Sequence, residues 1–193
     1  VFRVRLAEAH VVPDISDRLY RPFSEGEARP EPAPFNDPEL SRQWHYNNDG
    51  SIEGSVAGAD INLFKAWREI GAGRPEVVVA VIDGGIQYDH PDLAANMWTN
   101  EAEMNGTPGV DDDGNGYVDD IYGWNYYTDS GTITQHFHGT HVAGTVAAVN
   151  NNGIGVCGVA GGTGVGDGVR LMSCQNYDTD ANGQEVGSVT EES

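Results

Sequence analysis

Positive charge is what this sequence has least of. Ten lysines and arginines stand against thirty aspartates and glutamates in 193 residues, a formal net charge of −20, and Lys65 is the only lysine. That balance argues against nucleic acid and against an anionic membrane surface as partners, since both are bound through clustered basic side chains. It suits a protein exposed to salt or calcium. No run is long or apolar enough to span a bilayer. Cysteine is almost absent: Cys157 and Cys174 either pair with each other or stay as buried thiols. Internal repeats are missing. The chain opens at Val1 with neither a methionine nor a signal peptide, which predicts a processed or trimmed N-terminus. Its length is enough for one domain with a real core.

Against that background the apolar run Val77–Ile82, VVVAVI, is conspicuous. Unbroken and rich in β-branched residues, it predicts a strand buried on both faces of a parallel sheet. It ends at Asp83, followed by Gly84 and Gly85. An acid at the carboxyl end of such a strand lies at the rim where α/β folds place their chemistry; alone, it is equally well the cap of a turn. Residues 1–34 divide from 35–193. Val1–Val12 alternates loosely and reads as a strand, and Pro13–Pro34, rich in Pro, Glu and Arg, as an extended connector. Leu40–Trp44 starts a short helix. Asp60–Ile70 has apolar residues at helical spacing and stops at Gly71 and Gly73. Asn96–Asp120 reads as a polar loop, Ile121–Tyr127 as a second strand, Gly139–Val149 as a buried helix, Val169–Gln175 as a third strand, and Val189–Ser193 as the first turn of another helix. Strand and helix in alternation give an α/β fold with a parallel sheet.

The segment His138-Gly139-Thr140-His141-Val142-Ala143-Gly144-Thr145 carries the most specific signal. Its glycines permit close helix–sheet packing, and a histidine at a helix N-terminus sits among free backbone N–H groups. Together with IDGG and HPDL upstream, it closely resembles the aspartate and histidine motifs of the subtilisin family of serine peptidases. The resemblance runs from about Phe35 to the C-terminus, through Asn150–Ala160 and Val169–Gln175. It implies a parallel-sheet subtilisin-like fold, incomplete in this chain. Asp83 takes the place of the triad acid and His138, rather than His141, that of the general base. His141 is then expected to pack behind the site, His136 to be solvated on a loop, and His90 to be structural. The family's nucleophile lies in a GTSMAxP-like segment and its oxyanion-hole asparagine on a later SWG-type segment. Neither segment is present, and Ser130, Ser173, Ser188 and Ser193 lack that context. The resemblance therefore implies the N-terminal half of a catalytic domain, inactive alone and active with a serine-bearing C-terminal remainder. A parallel sheet cut after its first strands would leave an apolar edge unpaired.

Calcium takes about six to eight oxygen ligands from carboxylates, amides and carbonyls. The family commonly ties its N-terminal segment to the core through such a site. The matching positions are Asp37, Asp92, the Asn152 side chain, and the carbonyls of Val149, Ile154 and Val156. A second candidate is Asp111–Asp120, whose D-x-D-x-N-G start matches the first half of an EF-hand loop. Asp111, Asp113 and Asn115 supply side chains there, Tyr117 its carbonyl, and Asp119 or Asp120 a further carboxylate; Tyr122 stands where the closing glutamate belongs. Some thermostable relatives hold another calcium after the second strand, but Asn125, Thr128 and Ser130 replace its carboxylates, so none is expected there.

The resemblance implies a secreted, calcium-stabilised serine endopeptidase acting on extended polypeptide, bound along an edge strand near Gly183–Gly187. Residues 1–34 are either the end of an inhibitory propeptide, as in a zymogen, or a mature extension. Two other readings stay open. One is a catalytically inactive calcium-binding fragment or pseudoenzyme that serves as a binding module; the other is a calcium-binding adhesion module. Intact Asp83 and His138 weigh against the first, and the buried IDGG strand against the second.

Overall fold

A computed structural model describes residues 33–187. The expected strand over Val1–Val12, the turn at Val189–Ser193, and all but the end of the Pro13–Pro34 connector lie outside the described residues.

Three strands make a parallel sheet: β1 (Val78–Asp83), β2 (Gly123–Asn125) and β3 (Arg170–Gln175), in the order β1–β3–β2. The register sets Asp83 and Asn125 on either side of Gln175. All three strands thus end at one rim, and an acid, an amide and a second amide meet there. Helix α3 (Phe137–Ala147) lies across one face. Ala143 and Ala147, both 0 % exposed, let it approach closely, and Val81, Ile86, Leu93, Met97 and Leu171 fill the interface. Buried Asn96 closes the far end of the helix, donating from Nδ2 to the Ala147 carbonyl at 3.0 Å and to that of Gly161 at 3.1 Å. A smaller aromatic core joins Leu40, Tyr46 and Ala72 to helix α1 (Leu63–Glu69), which buries Leu63, Phe64 and Trp67. The Trp67 indole also donates to the Val159 carbonyl at 2.8 Å.

Among the described residues the expected elements are present with shifted ends. Helix α1 starts at Leu63 rather than Asp60, because the Asp60 carboxylate accepts the N–H groups of Asn48 and Asn62 and Asn62 is left-handed at φ 56°. Leu40–Trp44 is reduced to a 3-10 turn at Leu40–Arg42. The polar stretch Asn96–Asp120 contains a short helix, α2 (Glu101–Met104), capped by the Asn100 side chain, which accepts from the Ala102 N–H. Beyond β3 the chain forms an antiparallel hairpin of β4 (Tyr177–Thr179) and β5 (Glu185–Gly187), so the region near Gly183–Gly187 does hold a strand. Both cysteines are free.

Two expectations of burial need correction. β1 is buried on one face only: Val81 and Asp83 point inward, while Val78, Ala80 and Ile82 face out and Ile82 is 70 % exposed. An unbroken apolar run reports that both faces are suited to burial, and among the described residues nothing packs over the second face along β1. The outer edge of β1 is likewise unpaired among them. The helix expected to be buried begins at Phe137 and is half-exposed; Phe137, His141 and Thr145 are open on its outer side.

Candidate active site

Asp83 is 7 % exposed at the end of β1, and His138 stands in the first turn of α3. The His138 Nδ1 lies 2.7 Å from Asp83 Oδ2. A neutral imidazole facing a carboxylate in this way carries its proton on Nδ1, leaving Nε2 as acceptor. The histidine side chain is 57 % exposed, so that second nitrogen looks outward. The other carboxylate oxygen, Oδ1, accepts the Gly84 N–H at 2.7 Å and the Tyr177 hydroxyl at 2.8 Å. Burial pushes the Asp83 carboxyl up, but these donors and His138 more than offset it and hold it below the usual carboxylate range.

The approach of helix to strand depends on Gly139. A Cβ there would strike the carbonyl oxygen of Gly85 and come within 3.1 Å of Asp83 Oδ1. Fully buried Gln175 braces the same rim: its Oε1 accepts the Thr134 N–H at 2.8 Å and its Nε2 donates to the Tyr177 carbonyl at 3.1 Å.

The neighbouring histidines divide differently from expectation. His136 is buried rather than solvated. It caps α3, its Nδ1 accepting the His138 N–H at 3.2 Å, and its ring meets Tyr177 edge-on at 5.3 Å. His141 is exposed rather than packed behind the site. It lines a cleft of about 700 Å³ along the outer face of α3, with His90, Phe137 and Thr145. His90 holds its turn, its Nδ1 accepting the Asp92 N–H at 3.1 Å.

Two groups of oxygen donors lie away from the rim. Asp37 and Asp92 are both buried beneath the loop 149–156. Asp37 accepts the N–H groups of Asn151 at 2.6 Å and Asn152 at 3.3 Å, and the Cys157 thiol at 3.2 Å. Asp92 accepts the Asn152 amide at 2.8 Å and the Val156 N–H at 2.9 Å. Burial raises the Asp92 pKa, the Val156 and Asn152 donors pull it back only in part, and the Asp37 charge raises it further. Among the described residues the carbonyls of Val149, Ile154 and Val156 accept no hydrogen bond. Two buried carboxylates and the backbone carbonyls of one loop are oxygen donors of the kind a hard cation takes.

In the acidic loop, oxygens of Asp111, Asp113 and Glu103 lie within 4.8 Å of one another, a cluster that could hold a metal ion. About 2.4 Å from a central calcium to each oxygen allows that spread. Glu103 lies outside the EF-hand-like run, yet it is the hub of the loop. Its Oε1 accepts the N–H groups of Asp112 and Asp113, and its Oε2 that of Asp119. Asn115 donates its amide to Asp113 and Asp120, while its Oδ1 takes the Tyr117 N–H. Asp119 turns away to cap the Gly109 N–H, and buried Asp120 accepts from Asn100 and Asn115.

A parallel sheet with one helix sunk onto it, and a rim where the strand ends converge, define the chain as part of an α/β domain. It belongs to the subtilase family, whose profile matches residues 74–186, more than half of the chain. Subtilisin-like protease 1 of Plasmodium vivax is 45 % identical over 147 residues, covering 75 % of this chain and 20 % of that protein. Human neuroendocrine convertase 2 is 34 % identical over 178 residues, covering 92 % of this chain and 24 % of its own length. A crystal structure of the Aeromonas sobria serine protease in complex with its chaperone aligns with a TM-score of 0.52 at 28 % identity, covering 80 % of this chain and 22 % of that one. The chain therefore spans about a fifth to a quarter of the length of these relatives. No helix among the described residues is long and apolar enough to cross a membrane.

Proposed function

We propose that residues 35–193 are the N-terminal half of a secreted subtilisin-like endopeptidase domain, with residues 1–34 a preceding extension or propeptide remnant. The chain supplies Asp83 and His138, and the C-terminal remainder of the same protease supplies the serine. The observation that carries this reading is the 2.7 Å contact between His138 Nδ1 and a buried, multiply hydrogen-bonded Asp83 carboxylate. In the reaction, His138 Nε2 takes the proton of the serine hydroxyl as its oxygen attacks the scissile carbonyl. Asp83 stays ionised and stabilises the imidazolium. That proton then passes to the leaving amine as the peptide C–N bond breaks; water repeats the sequence to release the acyl group. Extended polypeptide pairs with the free edge of the β4–β5 hairpin.

The remainder of the protease covers the open face of β1 and the outer side of α3. Ile82→Ala in the full-length protein is then expected to cost about 2–5 kcal/mol of stability, the range for a buried large-to-small change. Denaturant unfolding checks this; a loss within about 0.5 kcal/mol, as at a solvated surface, would mean that the face stays open. Calcium is held at Asp37 and Asp92, with Asn152 and the carbonyls of Val149, Ile154 and Val156. A second ion is held at Asp111 and Asp113 with Glu103, and with Asn115, Tyr117 and Asp120 around it, while Asp119 caps Gly109. These ions fix loops and take no part in the chemistry. A calcium-binding module without catalysis would use the same loops, but it leaves the donor set around Asp83 without a purpose. Hydrolysis of unfolded protein by the full-length product, compared with its Asp83→Asn variant, separates the two. Equal rates, or none from either, would remove the peptidase reading.

A further inference from the structure

Tyr177 has no place in the Asp–His–Ser scheme, yet its hydroxyl lies 2.8 Å from Asp83 Oδ1. It is the first residue of β4, in the hairpin that follows the central strand. The backbone around it is prepared for this contact. Gln175 holds the Tyr177 carbonyl, and the ring packs against His136 and close to Gly84. A Cβ at Gly84 would lie 2.7 Å from the His136 ring and 2.8 Å from Tyr177 Cε2, so the second residue of IDGG must lack a side chain for both rings to close over the acid. Burial and the Asp83 carboxylate push the tyrosine hydroxyl up to about 12, so it remains a donor at all working pH values.

We propose that Tyr177 is a positioning residue: its O–H fixes Oδ1 of Asp83 so that Oδ2 points at His138, and it ties the substrate-side hairpin to the triad acid. The proposal rests on the peptidase reading above. With Oδ1 doubly held by Gly84 N–H and the tyrosine, the carboxylate has one orientation left for the imidazole. The groups acting on Asp83 are the Gly84 N–H, His138 from α3 and Tyr177 from β4; His136 packs against the Tyr177 ring, and the Glu185 charge of β5 acts on the Tyr177 hydroxyl. Removing the phenol oxygen alone leaves the packing and takes away one donor to the charged form, which must raise the carboxyl's pKa.

The test is Tyr177→Phe in the full-length protease, read in two ways. Steady-state kinetics on a peptide substrate are expected to show kcat lowered about three- to tenfold with KM within about twofold, the pattern of a lost orienting hydrogen bond. Carbon-13 titration of the Asp83 carboxyl is expected to move its midpoint up by about half a unit or more. A merely structural tyrosine would not move that midpoint. If it stays in place, or if kcat is unchanged, the proposal is overturned. Should the wild-type protein cleave no peptide, the peptidase reading has failed by itself. The titration then decides alone whether Tyr177 governs Asp83.

Discussion

His138→Ala in the full-length protease should lower kcat by about a millionfold, a magnitude established on subtilisin itself, a member of this family. The residual rate should match that of the variant lacking the serine, because acid, base and nucleophile act as a unit and their losses do not add. Asp83→Asn should cost less, about ten-thousandfold. An amide at this position would present N–H where His138 needs an acceptor and would favour the wrong tautomer. Both variants keep the side-chain volume or reduce it at an exposed ring, so folding should persist and circular dichroism should be unchanged. A His138→Ala protein that kept more than a hundredth of its activity would exclude this histidine as the base, and His141 would then have to be reconsidered.

The second large effect concerns calcium. Stripping the full-length protein with a chelator is expected to remove about 3 kcal/mol of stability for each site held at a hundredfold over its dissociation constant. Differential scanning with and without added calcium reads this directly. Asp37→Asn and Asp113→Asn separate the two sites. Acidity should narrow the difference, because carboxylate ligands must be ionised to bind. The sign at the first site follows from Asp92, whose pKa is raised by burial and by Asp37. A raised carboxyl binds its proton more readily in the folded chain than in the unfolded one. The calcium-free protein therefore gains stability from this group as pH falls through the raised value to the ordinary carboxylate range, while the loaded protein loses bound ion over the same window. Melting temperatures that ignore chelator at neutral pH would contradict both sites.

Asp83 and His138 were legible because two short motifs constrain each other: the carboxylate ends an apolar strand, the imidazole lies in the first turn of a small-residue helix, and both are written in local sequence. The strands of the sheet were legible for the same reason; the start of helix α1 was not, because the Asp60 carboxylate and left-handed Asn62 divert the backbone into a side-chain hydrogen bond. Glu103 was not legible. It lies outside the acidic run and becomes central only when that run folds back, offering the N–H groups of Asp112, Asp113 and Asp119 to one carboxylate. Tyr177 was hidden similarly, in a stretch of Asp, Asn and Gly with no periodicity. His136 was misjudged because a histidine acting as a helix cap leaves no pattern in sequence. β1 was misjudged in the opposite sense: its residues are suited to burial on both sides, and the described chain covers only one.

This chain's Asp–His pair is proposed to serve a serine elsewhere in the same protein. Intact mass of the full-length protease after exposure to a fluorophosphonate measures it most directly. One adduct per molecule on a serine beyond residue 193, lost in the His138→Ala variant, is the expected result. A wild-type protein that takes up no probe, or takes it up equally without His138, would contradict the account.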